Sequence, residues 1–151
     1  MLRTRLTDAL KTAMKDKDAT SVSTLRLILA ALKDRDIAAR GKGDKDGISE
    51  DEVLGLLQSM IKQRRESIAL YEKGARMELA QGEAEEISII EKFLPEQMGD
   101  DDIAEAIAAV IADVDASTLK DMGKVMGALK GKYAGQMDFS KASALVKERL
   151  S

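Results

Sequence analysis

An all-α fold is predicted by three observations on this sequence. Apolar residues recur three and four positions apart along most of its length, which places them on one face of successive helices. No segment shows the period-two alternation of a half-buried strand. The side chains available for a core are almost all Leu, Ile, Val, Ala and Met, because Cys, His and Trp are absent and Tyr71, Tyr133, Phe93 and Phe139 are the only aromatics. Such flexible aliphatic cores suit helix-on-helix packing. The chain has 151 residues, 44% of them hydrophobic, enough for one ordinary domain or two small ones.

The first helix is predicted from Leu2 to about Lys15, where Leu2, Leu6, Ala9, Leu10, Ala13 and Met14 share a face. The second runs from about Ser21 to Ala39 and stops at Gly41, with Val22, Leu25, Ile28, Leu29 and Leu32 inward and Arg26, Lys33 and Arg40 toward solvent. The loop GKGDKDGIS follows, read as a flexible or partly disordered connection. It superficially resembles a calcium loop, but with Gly47 at the sixth position the first and twelfth ligands would be Lys42 and Val53, neither a carboxylate.

Ser49 with Glu52 forms a capping box that opens a third, long helix reaching Gly74, buried through Val53, Leu56, Leu57, Met60, Ile61, Ile68 and Tyr71. Its centre carries Lys62, Gln63, Arg64 and Arg65. Most of that charge is the ordinary solvated side of a long helix, yet adjacent guanidinium forks also match phosphate oxygens, so Arg64 and Arg65 are candidate second contacts for a polyanion. A fourth helix is expected from Ala75 to Phe93 with Leu79, Ile87, Ile90 and Phe93 or Leu94 inward.

Pro95, the only proline, cannot continue a helix and disfavours helical geometry at Leu94, which sets a domain boundary there. Residues 1–94 are expected to form a four-helix module and residues 95–151 a three-helix one. In the second module, Asp100 to Asp102 open a helix with Ile103, Ile107, Val110 and Ile111 inward, and Thr118 with Asp121 opens another through Leu129. Asp138 or Ser140 opens the last, burying Phe139 or Ala142, Leu145, Val146 and Leu150. A unit of this size buries little surface and is marginal alone.

The net charge of −3 hides a strong polarity. Residues 1–76 hold 16 basic and 12 acidic side chains, residues 77–118 hold 1 and 12, and residues 119–151 hold 7 and 3. A C-terminal cationic segment separated from an acidic belt can meet a polyanion despite the low pI. Without Cys or His there is no thiol nucleophile, imidazole base or usual transition-metal ligand set, so no metal and no cofactor is expected. The lack of cysteine fits a reducing cytoplasm, the location expected here. No stretch has the length and apolarity of a secretion signal or a membrane span.

The segment Leu119–Asp138 departs most from routine helix composition. Glycine occupies 123, 127, 131 and 135 among Lys120, Lys124, Lys130 and Lys132, and no acid falls between Met122 and Met137. Advancing about 100° per residue from Met122 puts Val125, Leu129, Met126 and Leu119 on the core side. Lys120 and Lys124 then fall at ~160° and ~200°, with Gly123, Gly127 and Gly131 at ~100°, ~140° and ~180°. Glycine inside a helix costs about 1 kcal/mol relative to alanine, so something should offset it. One reading is close approach of a neighbouring helix, with Gly131 as a C-terminal cap. The other is an external partner that needs bare backbone and cations, such as a phosphodiester chain. Aromatics are too few to stack unpaired bases, which leaves phosphate, ribose and shape contacts of a folded RNA. Nucleotide loops of the GxxxxGK[ST] or GxGxxG type do not occur.

The segment KDMGKVMGALKGKYAGQMDFSKASALVKERL resembles the C-terminal tail domain of the GatB/YqeY family, which includes the B subunit of the glutamyl- and aspartyl-tRNA amidotransferase. MIKQRRESIALYEKGAR and EEISIIEKFLPEQM are similar to the free-standing YqeY-like members, so the likeness spans nearly the whole chain. The resemblance implies an all-helical protein of two modules whose tail helps to hold tRNA. Carried onto this chain it marks Gly123, Lys124, Gly127 and Lys130, and with the charge reading the candidate set is Lys120, Gly123, Lys124, Gly127, Lys130, Lys132, Arg64 and Arg65. The family association is with carbon-nitrogen ligase activity using glutamine as amide donor. The catalytic cradle and the serine-glycine-rich amidase motif are absent here, so no catalysis by this chain alone is expected. The expected partner is tRNA. The alternative is a protein interaction module that docks on an amidotransferase or another complex.

Overall fold

Seven α-helices make up the computed structural model, which describes residues 1–151. They are α1 (Leu2–Lys15), α2 (Ala19–Gly41), α3 (Glu50–Lys73), α4 (Met77–Glu91), α5 (Asp100–Asp113), α6 (Met122–Tyr133) and α7 (Phe139–Leu150), with a single 3-10 turn at Leu119–Asp121. The chain divides into two compact units, Met1–Leu94 and Pro95–Ser151.

In the N-terminal unit α3 and α4 form the most extensively packed pair, α1 lies on α2, and α2 lies on α4 and more lightly on α3. The core is aliphatic: Leu6, Ile28, Leu57 and Ile90 are fully enclosed, and Leu25, Leu32, Val53, Leu56 and Phe93 complete its centre. Local chemistry sets the helix starts. Asp18 accepts from Ser21 N at 3.2 Å and Ser21 Oγ at 2.7 Å to open α2. Ser49 Oγ accepts from Glu52 N at 3.2 Å while Glu52 accepts from Ser49 N at 3.2 Å, the expected capping box of α3.

One charged side chain, Asp36, is buried in this unit, on the same inward row of α2 as Leu25, Ile28 and Leu32. Burying a carboxylate is costly unless its lone pairs are filled. Arg3 of α1 donates from Nη2 to Asp36 Oδ1 at 2.6 Å and from Nε to Oδ2 at 3.2 Å, and Ile48 N donates to Oδ1 at 2.9 Å. Arg3 Nη2 also donates to Ile48 O at 2.8 Å, so the loop ahead of α3 is clamped from both sides. The Arg3 bond is the main reason the Asp36 carboxyl is held below its usual range; burial opposes it, and the Ile48 bond adds to it. Gly47 adopts φ +83°, and a Cβ there would come within 2.6 Å of Asp36 Cγ. The Gly41–Ser49 connection, expected to be flexible, is thus anchored at its end, with Ile48 buried.

The C-terminal unit packs α5, α6 and α7 against one another around Ile103, Ile107, Val110, Val125, Leu129, Met137, Ala142, Val146 and Leu150. Its leading segment is fixed to the α6–α7 turn: Met98 N donates to Gln136 O at 2.8 Å and Gln97 Nε2 to Gly135 O at 2.6 Å. Gly135 is buried with φ +76°, a left-handed conformation that favours glycine. Asp138 caps α7 by accepting from Ser140 N at 2.9 Å and Lys141 N at 3.3 Å.

Several details differ from the sequence reading. Helix α4 is shorter than expected, and Leu79 is 39% exposed while Ala80 takes its place inside. Leu119 lies outside α6, in the 3-10 turn, and is 47% exposed, because that turn breaks the helical phase that put it on the core side. Gly131 is no cap, since α6 continues to Tyr133 and ends at Ala134.

The clamp has two measurable consequences. Asp36→Ala leaves the Ile48 amide and part of the Arg3 guanidinium without partners and is expected to lower stability by about 2–3 kcal/mol in urea melts at pH 7, with the capped helices otherwise retained by circular dichroism. Because folding lowers the Asp36 pKa, its contribution is complete above the unfolded value of ~3.9 and fades as pH falls through the folded value. The stability gap between the wild type and Asp36→Asn is therefore expected to narrow below about pH 4.

Candidate nucleic-acid interface

Helix α6 contains no acidic residue, and its exposed positions include Gly123, Lys124, Gly127, Lys130, Gly131 and Lys132. Val125 and Leu129 anchor it from the opposite side, fully buried, with Met122 and Met126 half-buried beside them. A Cβ built at Gly123, Gly127 or Gly131 meets nothing within 4 Å. No neighbouring helix of this unit uses their small size, so close packing within the unit does not account for them.

The lysines divide into groups. On the same count of about 100° per residue, Lys130 falls at ~80° and Lys124 at ~200°, one on either side of the glycine row. Lys132 falls at ~280°, on the far side of α6. There its ammonium lies 5.7 Å from the centroid of the Tyr133 ring. Lys120 stands in the 3-10 turn just ahead, exposed. The helix dipole explains Lys130 and Lys132, which occupy the last turn where a cation is favoured. It does not explain Lys124, which sits in the first turn, where the exposed amides already carry partial positive charge. Asp121 is a counter-charge whose field Lys124 feels. It accepts from Ser117 N at 2.9 Å and Thr118 N at 3.3 Å, and these bonds, followed by the field of Lys124, lower its pKa.

The two arginines of α3 are placed differently. Arg64 is folded inward: its Nε donates to Glu86 at 2.9 Å, its Nη1 to Met60 O at 3.1 Å, and its side chain is 12% exposed. It serves the α3–α4 contact and has no free fork to offer a phosphate. Arg65 makes a looser, exposed pair with Glu91 at 3.5 Å, which leaves its guanidinium reachable. Sequence periodicity could not separate them, because the partner of each lies on another helix.

No group of three or more acidic side chains is positioned to hold a metal ion. No helix is long and apolar enough to cross a membrane. Three open depressions lie in the N-terminal unit, and none of the three is lined by the α6 lysines.

Comparison with known proteins places the chain. The family model described as Yqey-like protein matches residues 3–150. An uncharacterized protein of Schizosaccharomyces pombe is 31% identical over 96 residues, covering 64% of this chain and 71% of that protein. The protein named altered inheritance of mitochondria protein 41, mitochondrial, is 36% identical over 84 residues in Kluyveromyces lactis, covering 56% of this chain and 43% of the relative. Its Candida glabrata counterpart is 33% identical over 87 residues, covering 58% and 46%. The alignments thus span less than half the length of these two mitochondrial relatives. Their names overturn the cytoplasmic location expected from the absence of cysteine, which a mitochondrial protein can share. The match over nearly the full length, with the all-helical architecture, means that this chain belongs to the Yqey-like protein family.

Proposed function

We propose that this chain is a tRNA-binding accessory protein related to the tRNA-dependent amidotransferase, acting through the outward side of α6 and carrying out no chemistry of its own. The observation that carries the reading is the row Gly123, Gly127, Gly131, open to solvent with no protein atom to meet a Cβ, between Lys124 and Lys130. Its backbone is accessible along about 12 Å of helix, the rise over eight residues. A rigid polyanion can approach a bare helix more closely than a helix covered in side chains, and the flanking ammonium groups then reach its phosphates. Lys120 extends the cationic edge past the start of α6, and Arg65 on α3 is a candidate contact of the other unit. The family relation to the amidotransferase tail, which helps to hold tRNA, supports tRNA over other folded RNA.

The same open row would also receive a helix of a protein complex, and the two readings separate on RNase treatment. Partners lost on digestion favour RNA; partners that survive it favour docking on an amidotransferase or another complex. With three or four phosphates neutralised, raising salt from about 50 to about 200 mM is expected to weaken tRNA binding by roughly 40- to 150-fold. In filter-retention or fluorescence titrations, Lys124→Glu is expected to reduce affinity and lower the salt slope by about one. It should leave the fold intact, since an acid is favoured in the first turn. Failure to retain tRNA even at low salt would remove the proposal. An amidation assay with mischarged tRNA, glutamine and this chain alone is expected to show no turnover.

The glycines give an opposing pair of effects. Gly123→Ala and Gly127→Ala are each expected to raise stability by about 1 kcal/mol, because the added methyl meets open space and the backbone gains helix propensity. Gly127→Leu should also fold, yet bind tRNA more weakly. Loss of stability in the alanine variants would show that the glycines serve the fold.

A further inference from the structure

Helix α2 is apolar on two sides. Its inward row is Leu25, Ile28, Leu32 and Ala39 with the clamped Asp36. Directly opposite, within about 40° of a single line, run Ser23, Leu27, Ala30, Asp34, Ile37 and Gly41. Their spacing alternates four and three, the seam of a helix pair, and all six are exposed. Leu27 is 48% and Ile37 54% exposed, two branched aliphatic side chains about 15 Å apart on a face otherwise made of small residues. The N-terminal end of this face opens into a depression lined by Lys17, Ala19, Val22, Ser23, Arg26 and Leu27.

Charge limits what can cover it. One edge of the face carries Arg26, Lys33 and Arg40 at seven-residue intervals, all exposed, and the other edge carries Ala31 and Ala38. In an antiparallel pair of identical helices like edges meet, so a second copy would set three cations against three. A helix that presents carboxylates to that edge gains at each turn where a second copy is repelled. Asp34 interrupts the seam near its middle, and a carboxylate there favours one register, with a cationic side chain opposite.

We propose that the outward face of α2 docks an amphipathic partner helix, apolar along its contact stripe and acidic along the edge that meets Arg26, Lys33 and Arg40. The surface lies on a different helix from the candidate RNA interface and does not depend on it. A labelled synthetic helix as long as α2 tests this, with Leu and Ala along the seam, Glu on the facing edge and one Lys at the layer of Asp34. The control peptide has Lys in place of those Glu residues.

In fluorescence anisotropy with the full chain, the acidic-edged peptide is expected to bind at least about tenfold more tightly than the lysine-edged one. The preference should shrink at high salt. Leu27→Glu with Ile37→Glu should abolish binding, Lys33→Glu should reverse part of the preference, and Lys124→Glu should change nothing. Circular dichroism of each variant establishes that the fold is intact, and Leu27→Ala provides a milder seam variant if the double substitution unfolds. Equal binding of both peptides, binding of neither, or indifference to the Leu27 and Ile37 substitutions would overturn the proposal. So would a dimer in sedimentation that Leu27→Glu converts to monomer, because a second copy would then be the occupant.

Discussion

The N-terminal unit depends on one buried carboxylate. Asp36 stands in a row of aliphatic residues on α2, where an unpaired charge would be prohibitive. Its two oxygens are filled by Arg3 and the amide of Ile48, so the cost of burial is met only when α1, α2 and the entry to α3 come together. A second tie runs beside it, from Leu2 N to Glu50 Oε1 at 2.7 Å. The start of α1 is therefore held to the start of α3 by directed bonds, while the centres of the helices are held by aliphatic packing, which has little directional preference. The glycine at 47 follows from the same group: its positive φ and its contact with the Asp36 carboxylate leave no room for a side chain.

That network also marks the limit of what sequence patterns reveal. The seven helices were legible because spacing and caps are local: Ser49 with Glu52 and the run from Asp100 to Asp102 act within one turn. Asp36 was not legible as a core residue, since a charged side chain in an apolar row reads as an interruption until its partner 33 positions earlier is known. Arg64 was hidden in the same way by Glu86, which lies 22 positions away. Leu79 and Ala80 in α4 exposed a different weakness. Leucine is the more hydrophobic, but Ala80 is seven residues before Ile87 and falls within about 20° of it, whereas Leu79 falls about 80° off. Phase decided which side chain entered the core.

The candidate interface was legible as composition and only partly as geometry. Sequence placed the α6 glycines beside the lysines and away from the core, yet left open whether another helix of the same unit lay against them. The open space around each Cβ position closes that reading. The structure also separates Lys132 from the other lysines and removes Arg64 from the free cations, neither of which a charge count could do. The location was misread for a simpler reason: lack of cysteine describes a tolerance for reducing conditions and does not distinguish compartments.

Helices α2 and α6 break the local rules of helix composition on their outward sides, and they break them in opposite senses. A stable exposed helix wants alanine and long polar side chains outward. Helix α6 instead leaves its backbone bare, in a unit whose core holds ten buried apolar residues and can spare little stability. Helix α2 instead presents Leu27 and Ile37, which gain nothing by facing water. Packing within each unit accounts for neither departure, because both faces point away from their own cores, so each asks for something beyond its own unit. What each asks for differs with its chemistry. A bare backbone between lysines lowers the approach distance to a charged, rigid surface and offers almost no apolar area. An aliphatic seam with one basic edge offers area and register, which another helix can use and a phosphate chain cannot. The two proposed partners therefore differ in kind because the two faces differ in chemistry.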